Sequence, residues 1–147
     1  VIAPDQEPVV DYPLCVDGHE FDVSCVSMGN QHAVAFVDEP VDEVRLHDLG
    51  PLVEHHAMFP SRVNFEIVNV IDPARLKARV WERGSGLTMA CGTGACAIAV
   101  AARLHRFTGD VVTVELPGGE LTVRWPGRGE VVLEGPVEHV FEGEWPD

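Results

Sequence analysis

The fold is decided by residues 89–102, which read MACGTGACAIAVAA. From Ala95 onward this stretch is apolar on every side, and a helix of that kind is buried on every side. Basic residues follow it, where they suit the negative end of a helix dipole, and Gly109 then provides a stop signal. The sequence therefore predicts one central, buried helix that begins near Cys91.

Most of the remaining chain has the patterns of β-strands. Apolar runs of alternating or β-branched residues, separated by glycine and proline turns, predict strands at 21–25, 32–37, 63–71, 76–81, 111–116, 121–125, 131–134 and 137–141. A second, short helix is predicted between Asp48, as its cap, and Phe59-Pro60, with Pro51 in its first turn. We expect an α+β fold in which an antiparallel, barrel-like sheet wraps around the central helix.

The composition excludes several classes of partner. The chain has 147 residues, with 24 Asp and Glu against 10 Lys and Arg, so its formal net charge is −14. A surface this acidic repels nucleic acid and anionic membranes, so neither is an expected partner. No apolar run reaches the roughly 20 residues that cross a bilayer. The length fits a single domain with a real core.

Cysteine and histidine usage predicts neither disulfides nor a metal site. The four cysteines, Cys15, Cys25, Cys91 and Cys96, are scattered without a CxxC pair, and no secretory leader opens the chain. We therefore expect free thiols in a reducing, cytoplasmic compartment. The seven histidines have no metal-binding spacing, so no metal is expected.

Cys91 is the strongest candidate for a reactive residue. It lies at the amino end of the predicted helix, where unpaired N–H groups bind anions and the dipole favours thiolate over thiol. The glycines beside it, Gly92 and Gly94, let a ligand approach the backbone closely. A thiolate in this position could act as a nucleophile or as a base. Cys96 lies inside the apolar run and is predicted to be packing only.

Two opposite charges, Glu82 and Arg83, end a predicted strand just before Gly84-Ser85-Gly86. Strand ends are often solvated, so a surface ion pair explains these residues without any function. The alternative is a loop that brings both charges over Cys91. A zwitterionic ligand would use both, because a carboxylate binds ammonium and a guanidinium binds carboxylate.

Three further polar residues have both a structural and a functional interpretation. Asn30 tolerates the left-handed backbone of a turn, and His32 could be an ordinary half-buried histidine at the start of a strand. Asn64 lies within an apolar strand, where a buried amide needs hydrogen-bond partners that a substrate could supply.

The residues Gly92, Gly94 and Ala97 also fit GxGxxA, with Glu115 about twenty positions later. This pattern imitates a dinucleotide-binding fingerprint. The fingerprint needs a strand that runs directly into the turn and repeated βαβ units. Here a glycine-rich loop precedes the helix and a meander follows it, so NAD binding is the less favoured interpretation.

Three motifs, in this order along the chain, resemble one known family. Residues 26–34 read VSMGNQHAV, Phe59-Pro60 is followed by NFE at 64–66, and WERG at 81–84 leads to TMACGTGACA at 88–97. Together they are similar to the signatures of the diaminopimelate epimerases. Gln31 stands where that family usually has proline, and Leu87 where it usually has glutamate.

The resemblance implies an amino-acid isomerase that needs no cofactor and converts LL-diaminopimelate to meso-diaminopimelate for lysine and peptidoglycan precursors. In that family two cysteines flank the substrate α-carbon, one as thiolate and one as thiol. By motif position Cys91 would be one catalytic cysteine, with His32 and Glu82 tuning the thiols. The remaining implied contacts bind the substrate's ammonium and carboxylate groups: Asn30, Asn64, Glu82, Arg83, Gly92 and Thr93.

The family has two lobes, each a sheet around a central helix, and this chain is about half the family's length. Residues 1–147 are therefore predicted to be the carboxy-terminal lobe, with the amino-terminal lobe absent. Cys15, in a predicted connector, and Cys25, in mid-strand, lack the setting of the partner cysteine, so this lobe alone should not invert its substrate. Expected partners are an amino-acid substrate and the amino-terminal lobe, and a homodimer is compatible. The alternative is a catalytically dead ligand-binding lobe.

Overall fold

A computed structural model of the chain describes residues 9–146, so both ends of the lobe predicted over 1–147 lie outside the described residues. Most elements are strands. In chain order they are β1 (Val9–Val16), β2 (His19–Ser27), β3 (Gln31–Phe36), α1 (Leu46–Glu54), β4 (Asn64–Asp72), β5 (Arg75–Glu82), β6 (Gly86–Thr88), α2 (Gly92–Leu104), β7 (Val111–Leu116), β8 (Gly119–Arg124) and β9 (Val132–Glu134).

The strands form one mixed sheet in the order β1-β2-β3-β4-β5-β7-β8-β9, with β6 paired to β5. The α+β prediction is confirmed, but the prediction of a wholly antiparallel sheet is wrong. The β3–β4 and β5–β7 pairs are parallel, because α1 and α2 each provide the crossover that parallel neighbours need. Across residues 9–146 the pairing path has two ends, so the sheet is open.

The predicted central helix is confirmed as α2. Ile98, Ala101 and Ala102 are fully buried. The helix contacts six strands distributed across the sheet: β2, β3, β4, β7, β8 and β9. It ends before the predicted stop at Gly109. Arg106 takes a left-handed φ of 61°, and the Phe107 N–H donates to the Ala102 carbonyl at 3.0 Å. A Schellman-type cap therefore ends α2 without glycine.

The short helix α1 differs from its prediction at both ends. Its N-cap is Arg45, without a side-chain hydrogen bond, and Asp48 lies in the first turn rather than at the cap. Pro51 consequently falls in the second turn, and the helix ends at Glu54, before Phe59. The apolar face of α1 packs into a second core beside the α2 core, with Leu46, Leu49, Val53, Phe65 and Ile67 among its buried residues.

Three other predictions are corrected. Cys15 lies in β1, not in a connector, and residues 86–88 form β6 where a loop was expected. Residues 137–141 carry a strand pattern but have no strand, because nothing described in the chain pairs with them. Their apolar side chains are exposed instead, as at Val137 (98%) and Phe141 (80%). Within residues 9–146, neither helix is long and apolar enough to cross a membrane.

Candidate active site

Cys91 is the N-cap of α2, as the sequence predicted. Its extended backbone (φ −139°, ψ 111°) joins the segment after β6 to the helix. The Gly94 N–H donates to Cys91 Sγ at 3.3 Å, and the Thr93 hydroxyl oxygen lies 3.6 Å from the sulfur. The Gly94 N–H and the Ala95 N–H, which donates to the Cys91 carbonyl, are thus satisfied, whereas those of Gly92 and Thr93 have no intrahelical acceptor.

The ionisation of Cys91 differs from the expectation. Burial raises the pKa of the thiol, and only 8% of the residue is exposed. Hydrogen bonds from Thr93 and Gly94 lower the pKa, while the nearby carboxylates of Glu82 and Glu66 raise it. The net pKa is above the usual value. The Gly94 N–H at the helix terminus lowers the pKa, which is the direction expected of the helix amino end, but desolvation is the larger effect and sets the net direction.

Asn30 and His32 lie beside this cysteine. The turn between β2 and β3 presents Asn30, and its amide nitrogen donates to Thr93 Oγ1 at 3.2 Å. Asn30 Oδ1 lies 3.0 Å from His32 Nε2, and the His32 side chain is fully buried. The structure therefore joins two separately predicted segments, residues 26–34 and the start of α2, into one hydrogen-bonded group.

Glu66 belongs to the same group, and sequence reasoning missed it. Its Oε1 lies 2.6 Å from His32 Nδ1, and both side chains are fully buried. The other carboxylate oxygen, Oε2, has no hydrogen-bond partner in the described part of the chain. An acidic residue inside the β-branched run at 63–71 was the available signal, because a buried charge is rare unless it has a partner.

Within residues 9–146, Glu82 and Arg83 do not form the surface ion pair that would explain them without a function. Glu82, at the end of β5, accepts a hydrogen bond from the Thr88 hydroxyl at 2.7 Å, and its charge acts on Cys91. The Arg83 guanidinium donates to the Ser61 carbonyl at 3.1 Å instead. The loop therefore brings one of its two charges to the cysteine.

Asn64 is a bridge between two backbone segments. Its amide nitrogen donates to the Gln31 carbonyl at 3.0 Å, and its Oδ1 accepts from the Arg83 N–H at 2.8 Å. The residue is 4% exposed, in β4 directly opposite His32 of β3. The partners that a buried amide requires come from the protein, so Asn64 holds the turn before β3 and the loop after β5 in place.

Residues 24–140 match the family model described as diaminopimelate epimerase. The chain belongs to the diaminopimelate epimerase family. It is 52% identical over 143 residues to the diaminopimelate epimerase of Cyanothece sp., a match covering 97% of this chain and 51% of that one. It is 51% identical over 146 residues to the enzyme of a Synechococcus sp., covering 97% and 51%. The chain thus spans about half the length of the curated relatives it matches.

Among solved structures, the chain is similar to a PhzF-family phenazine biosynthesis protein of Bacillus anthracis. The TM-score is 0.49 at 17% identity, and the match covers 71% of this chain and 34% of that one.

The three other cysteines of this diaminopimelate epimerase family member differ in exposure, and Cys96 lies close enough to Cys91 for the charge of Cys91 to raise its pKa. Cys15 is exposed in β1, and Cys25 is half-buried in β2 with its pKa raised by burial. Cys96 is half-buried within α2, where burial also raises its pKa. In the described residues, no group of three or more His, Cys, Asp or Glu side chains is arranged to hold a metal ion.

The dinucleotide interpretation has little geometric support in this family member. The three-residue strand β6, antiparallel to β5, lies between β5 and the glycines, so no parallel strand runs directly into the turn. A side chain on Gly92 would meet the Leu133 side chain at 3.2 Å, so a residue of β9 covers that face of the glycine turn. Neither arrangement leaves the open strand-to-helix turn of the fingerprint.

Proposed function

We propose that this chain is the carboxy-terminal lobe of a diaminopimelate epimerase, which interconverts LL- and meso-diaminopimelate without a cofactor. The observation that carries the proposal is the Cys91 thiol at the start of α2. The charge of the half-buried Glu82 acts on this thiol, which lies beside two N–H groups, those of Gly92 and Thr93, that the helix does not use. Family membership and identities of about 50% over nearly the whole chain support the same reaction.

The reaction would use Cys91 on one face of the α-carbon and a cysteine of the amino-terminal lobe on the other. The partner thiolate removes the α-proton, so that a C–H bond breaks, an S–H bond forms and the electron pair delocalises into the carboxylate. The Cys91 thiol then gives its proton to the opposite face and becomes a thiolate. The raised pKa keeps Cys91 protonated at neutral pH, which suits the delivering role.

The developing negative charge needs donors, and the start of α2 supplies them. We assign the free N–H groups of Gly92 and Thr93 to the carboxylate next to the reacting carbon, because preorganised donors lower the barrier of such a step by about 2.7–4 kcal/mol each. Glu82 would accept the substrate ammonium. Arg83 would exchange the Ser61 carbonyl for a substrate carboxylate.

Asn30 and Asn64 were predicted to bind substrate, and we propose different roles for them. The amide nitrogen of Asn30 faces Thr93 and stays half-exposed, so it can also contact a ligand at that position. Asn64 already bonds two backbone groups, so we assign it to holding Arg83 in place. His32 and Glu82 keep their proposed roles as the groups that tune Cys91.

A second lobe is supported by the exposed end of the chain. Apolar side chains after β9 lie almost fully in solvent, among them Val140 (84%) and Trp145 (94%), and apolar surfaces of this kind usually meet a partner.

A sheet that wraps barrel-like around α2 belongs to the same proposal, because the helix contacts both β2 and β9 near the two ends of the sheet. A cytoplasmic location fits four free thiols. A homodimer stays a prediction.

The test is to assay this chain alone, and then mixed with the amino-terminal half of a related enzyme, for stereoinversion and for α-proton exchange with D2O. We expect no inversion by the chain alone and inversion by the mixture. Cys91→Ser should abolish inversion in the mixture, and Cys96→Ser, a matched control elsewhere on α2, should not. Inversion by this chain alone would contradict the proposal. Binding of diaminopimelate without inversion in the mixture would instead favour a dead ligand-binding lobe.

A further inference from the structure

Glu66 is a buried acid that the proposed reaction does not yet use. It lies in the middle of β4, none of its surface is exposed, and its single side-chain partner among the described residues is His32. Burial raises the pKa of the Glu66 carboxyl, the hydrogen bond and charge of His32 lower it, and the charge of Glu82 raises it further. The net direction is upward, so this carboxyl retains a proton more readily than an ordinary glutamate.

A continuous hydrogen-bonded chain leads from Glu66 to the reactive sulfur. It runs from Glu66 Oε1 to His32 Nδ1 (2.6 Å), from His32 Nε2 to Asn30 Oδ1 (3.0 Å), and from Asn30 Nδ2 to Thr93 Oγ1 (3.2 Å). The last step joins Thr93 Oγ1 to Cys91 Sγ (3.6 Å). Asn30 accepts with Oδ1 on the His32 side and donates with Nδ2 on the Thr93 side, so the chain has a direction.

That direction follows from which atoms can donate. The carbonyl oxygen of Asn30 can only accept, so His32 Nε2 carries the hydrogen between them. Asn30 then donates its amide hydrogen to Thr93, and the Thr93 hydroxyl keeps its own hydrogen for Cys91. Each donor thus faces the next residue along the chain, and only the last donor, the Thr93 hydroxyl, donates to the sulfur, where a hydrogen bond favours the thiolate.

The proton shared by Glu66 and His32 maintains this direction. When His32 Nε2 carries a hydrogen, a second proton lies between His32 Nδ1 and Glu66 Oε1 and can be bound to either atom. If that proton is lost, the carboxylate favours a hydrogen on Nδ1, and Nε2 becomes an acceptor. Asn30 must then turn its amide nitrogen toward His32, and the Thr93 hydroxyl donates to Asn30. The Cys91 thiol is left to donate to Thr93, which favours the protonated sulfur.

We propose that Glu66 is a positioning residue: it shares one proton with His32, and that proton directs the Asn30–Thr93 chain toward Cys91. The ionisable groups that face Glu66 are His32 on β3, Glu82 on β5 and Cys91 at the start of α2. The proposal rests on the proposed function only for its purpose, which is to stabilise the Cys91 thiolate that forms when the thiol has given its proton to the substrate. Its geometry belongs to this chain, so it can be tested without substrate or a second lobe.

The first measurement needs no variant. In the 147-residue chain labelled with ¹⁵N, the shifts of the His32 ring nitrogens report which of them carries hydrogen. We expect a hydrogen on Nε2 at neutral pH. A neutral His32 with its hydrogen on Nδ1 and a bare Nε2 would overturn the proposal, whatever the outcome of the epimerase assay.

The second measurement separates action through the chain from action through charge alone. The pH midpoint of Cys91 alkylation by iodoacetamide, followed on the Cys91 peptide by mass, is compared in wild type, Glu66→Gln, Thr93→Val and the double variant. The glutamine amide cannot lose the shared proton in alkali, so we expect Glu66→Gln to lower the midpoint by about half a pH unit or more when Thr93 is present, and to lose most of that shift with Thr93→Val.

Two outcomes would overturn the proposal. An equal shift in both backgrounds would mean that Glu66 acts on Cys91 through its charge, and no shift in either would mean that it does not act at all. Thr93→Ser keeps a hydroxyl and should restore the sensitivity to Glu66→Gln. Glu43→Gln, at an exposed glutamate, is the matched control and should leave the midpoint unchanged.

Discussion

Two buried glutamates, Glu54 at the end of α1 and Glu66 in β4, have opposite surroundings. Glu54 is 4% exposed and Glu66 is not exposed at all. Glu54 accepts hydrogen bonds from the Trp81 indole at 2.8 Å, the Gly84 N–H at 2.9 Å and Arg62 at 3.2 Å. Glu66 has a single hydrogen-bond partner, His32, and its second carboxylate oxygen accepts no hydrogen bond from the described part of the chain.

Their pKa values therefore shift in opposite directions. Burial pushes the pKa of Glu54 upward, but the bonds from Trp81 and Gly84 and the charges of His55 and Arg62 outweigh it, so the net pKa is lowered. At Glu66 burial prevails and the net pKa is raised. A buried carboxyl surrounded by donors is thus an ionised anchor, here for the Glu82–Gly84 loop. A buried carboxyl with too few donors has a raised pKa, as Glu66 has, and can serve a reactive site.

The largest expected effect comes from removing the anchor. Glu54→Met keeps the length of the side chain but leaves the Trp81 and Gly84 N–H groups unsatisfied. We expect a loss of about 3 kcal/mol in the free energy of unfolding, measured by urea denaturation. Glu43→Met, at an exposed glutamate, should change it by less than about 0.5 kcal/mol. Equal effects of the two variants would show that Glu54 is not an anchor.

A smaller loss is expected from crowding the same region. A methyl group on Gly50 of α1 would overlap the ring of Trp81, so the indole that bonds Glu54 must move. We expect Gly50→Ala to cost about 2 kcal/mol, measured by urea denaturation with tryptophan fluorescence. Leu52→Ala, at an exposed position of the same helix, should cost less than about 0.5 kcal/mol. If the free energy of unfolding of Gly50→Ala equals that of wild type, the Trp81 indole is free to repack.

The fold was largely predictable wherever local pattern decides structure. The apolar run after Cys91 specified α2 because burial on all sides needs no information from the rest of the chain. Parallel pairing at β3–β4 and β5–β7 could not be derived, since it depends on where each crossover helix returns the strand. The strand pattern at residues 137–141 failed for a related reason, because a strand requires a partner that local sequence does not show.

The site was predictable as a set of residues but not as a network. Motifs identified Cys91, Asn30 and His32, and the structure brings these three together. The roles of Asn64 and Glu66 depend on which atoms are satisfied within the fold, so spacing alone did not separate a structural amide from a buried acid. The net pKa of Cys91 was missed for the same reason, because desolvation depends on packing rather than on the helix terminus.

The pH dependence of stability should differ in sign between the two acids. The lowered pKa of Glu54 contributes stability above about pH 4.3 that is lost as the pH falls. The difference in the free energy of unfolding between wild type and Glu54→Gln should therefore become smaller in acid. The raised pKa of Glu66 contributes stability below about pH 4.3 that is lost as the pH rises. As the pH rises, the free energy of unfolding of wild type should therefore fall relative to that of Glu66→Gln, by about 1.4 kcal/mol per unit of pKa shift.

Urea denaturation of the wild type and the two glutamine variants at a series of pH values measures how each difference in the free energy of unfolding changes with pH. These two pH dependences are the slopes to compare. The comparison of each variant with wild type cancels the pH dependence that all three proteins share, including the repulsion within an acidic chain. Slopes of the same sign for Glu54→Gln and Glu66→Gln would mean that the number of donors around each carboxyl does not set its ionisation.

The smallest effect on stability should come with a clear effect on the thiol. A methyl group on Gly94 would lie 3.2 Å from Cys91 Sγ and 3.3 Å from Glu66 Oε1, so the neighbours must shift by a few tenths of an ångström. Alanine stabilises a helix by about 1 kcal/mol relative to glycine, which offsets this crowding, and we expect a net change below about 0.5 kcal/mol.

Moving the sulfur weakens the hydrogen bond from the Gly94 N–H, one of the two bonds that lower the pKa of Cys91. Gly94→Ala should therefore raise that pKa and slow alkylation of Cys91 several-fold at pH 8, as followed on its peptide by mass. Gly109→Ala adds a methyl group in open space and should leave the rate unchanged. Gly50→Ala should likewise spare the thiol while destabilising the fold. Equal alkylation rates for Gly94→Ala and wild type would show that the bond to Gly94 does not control the thiol.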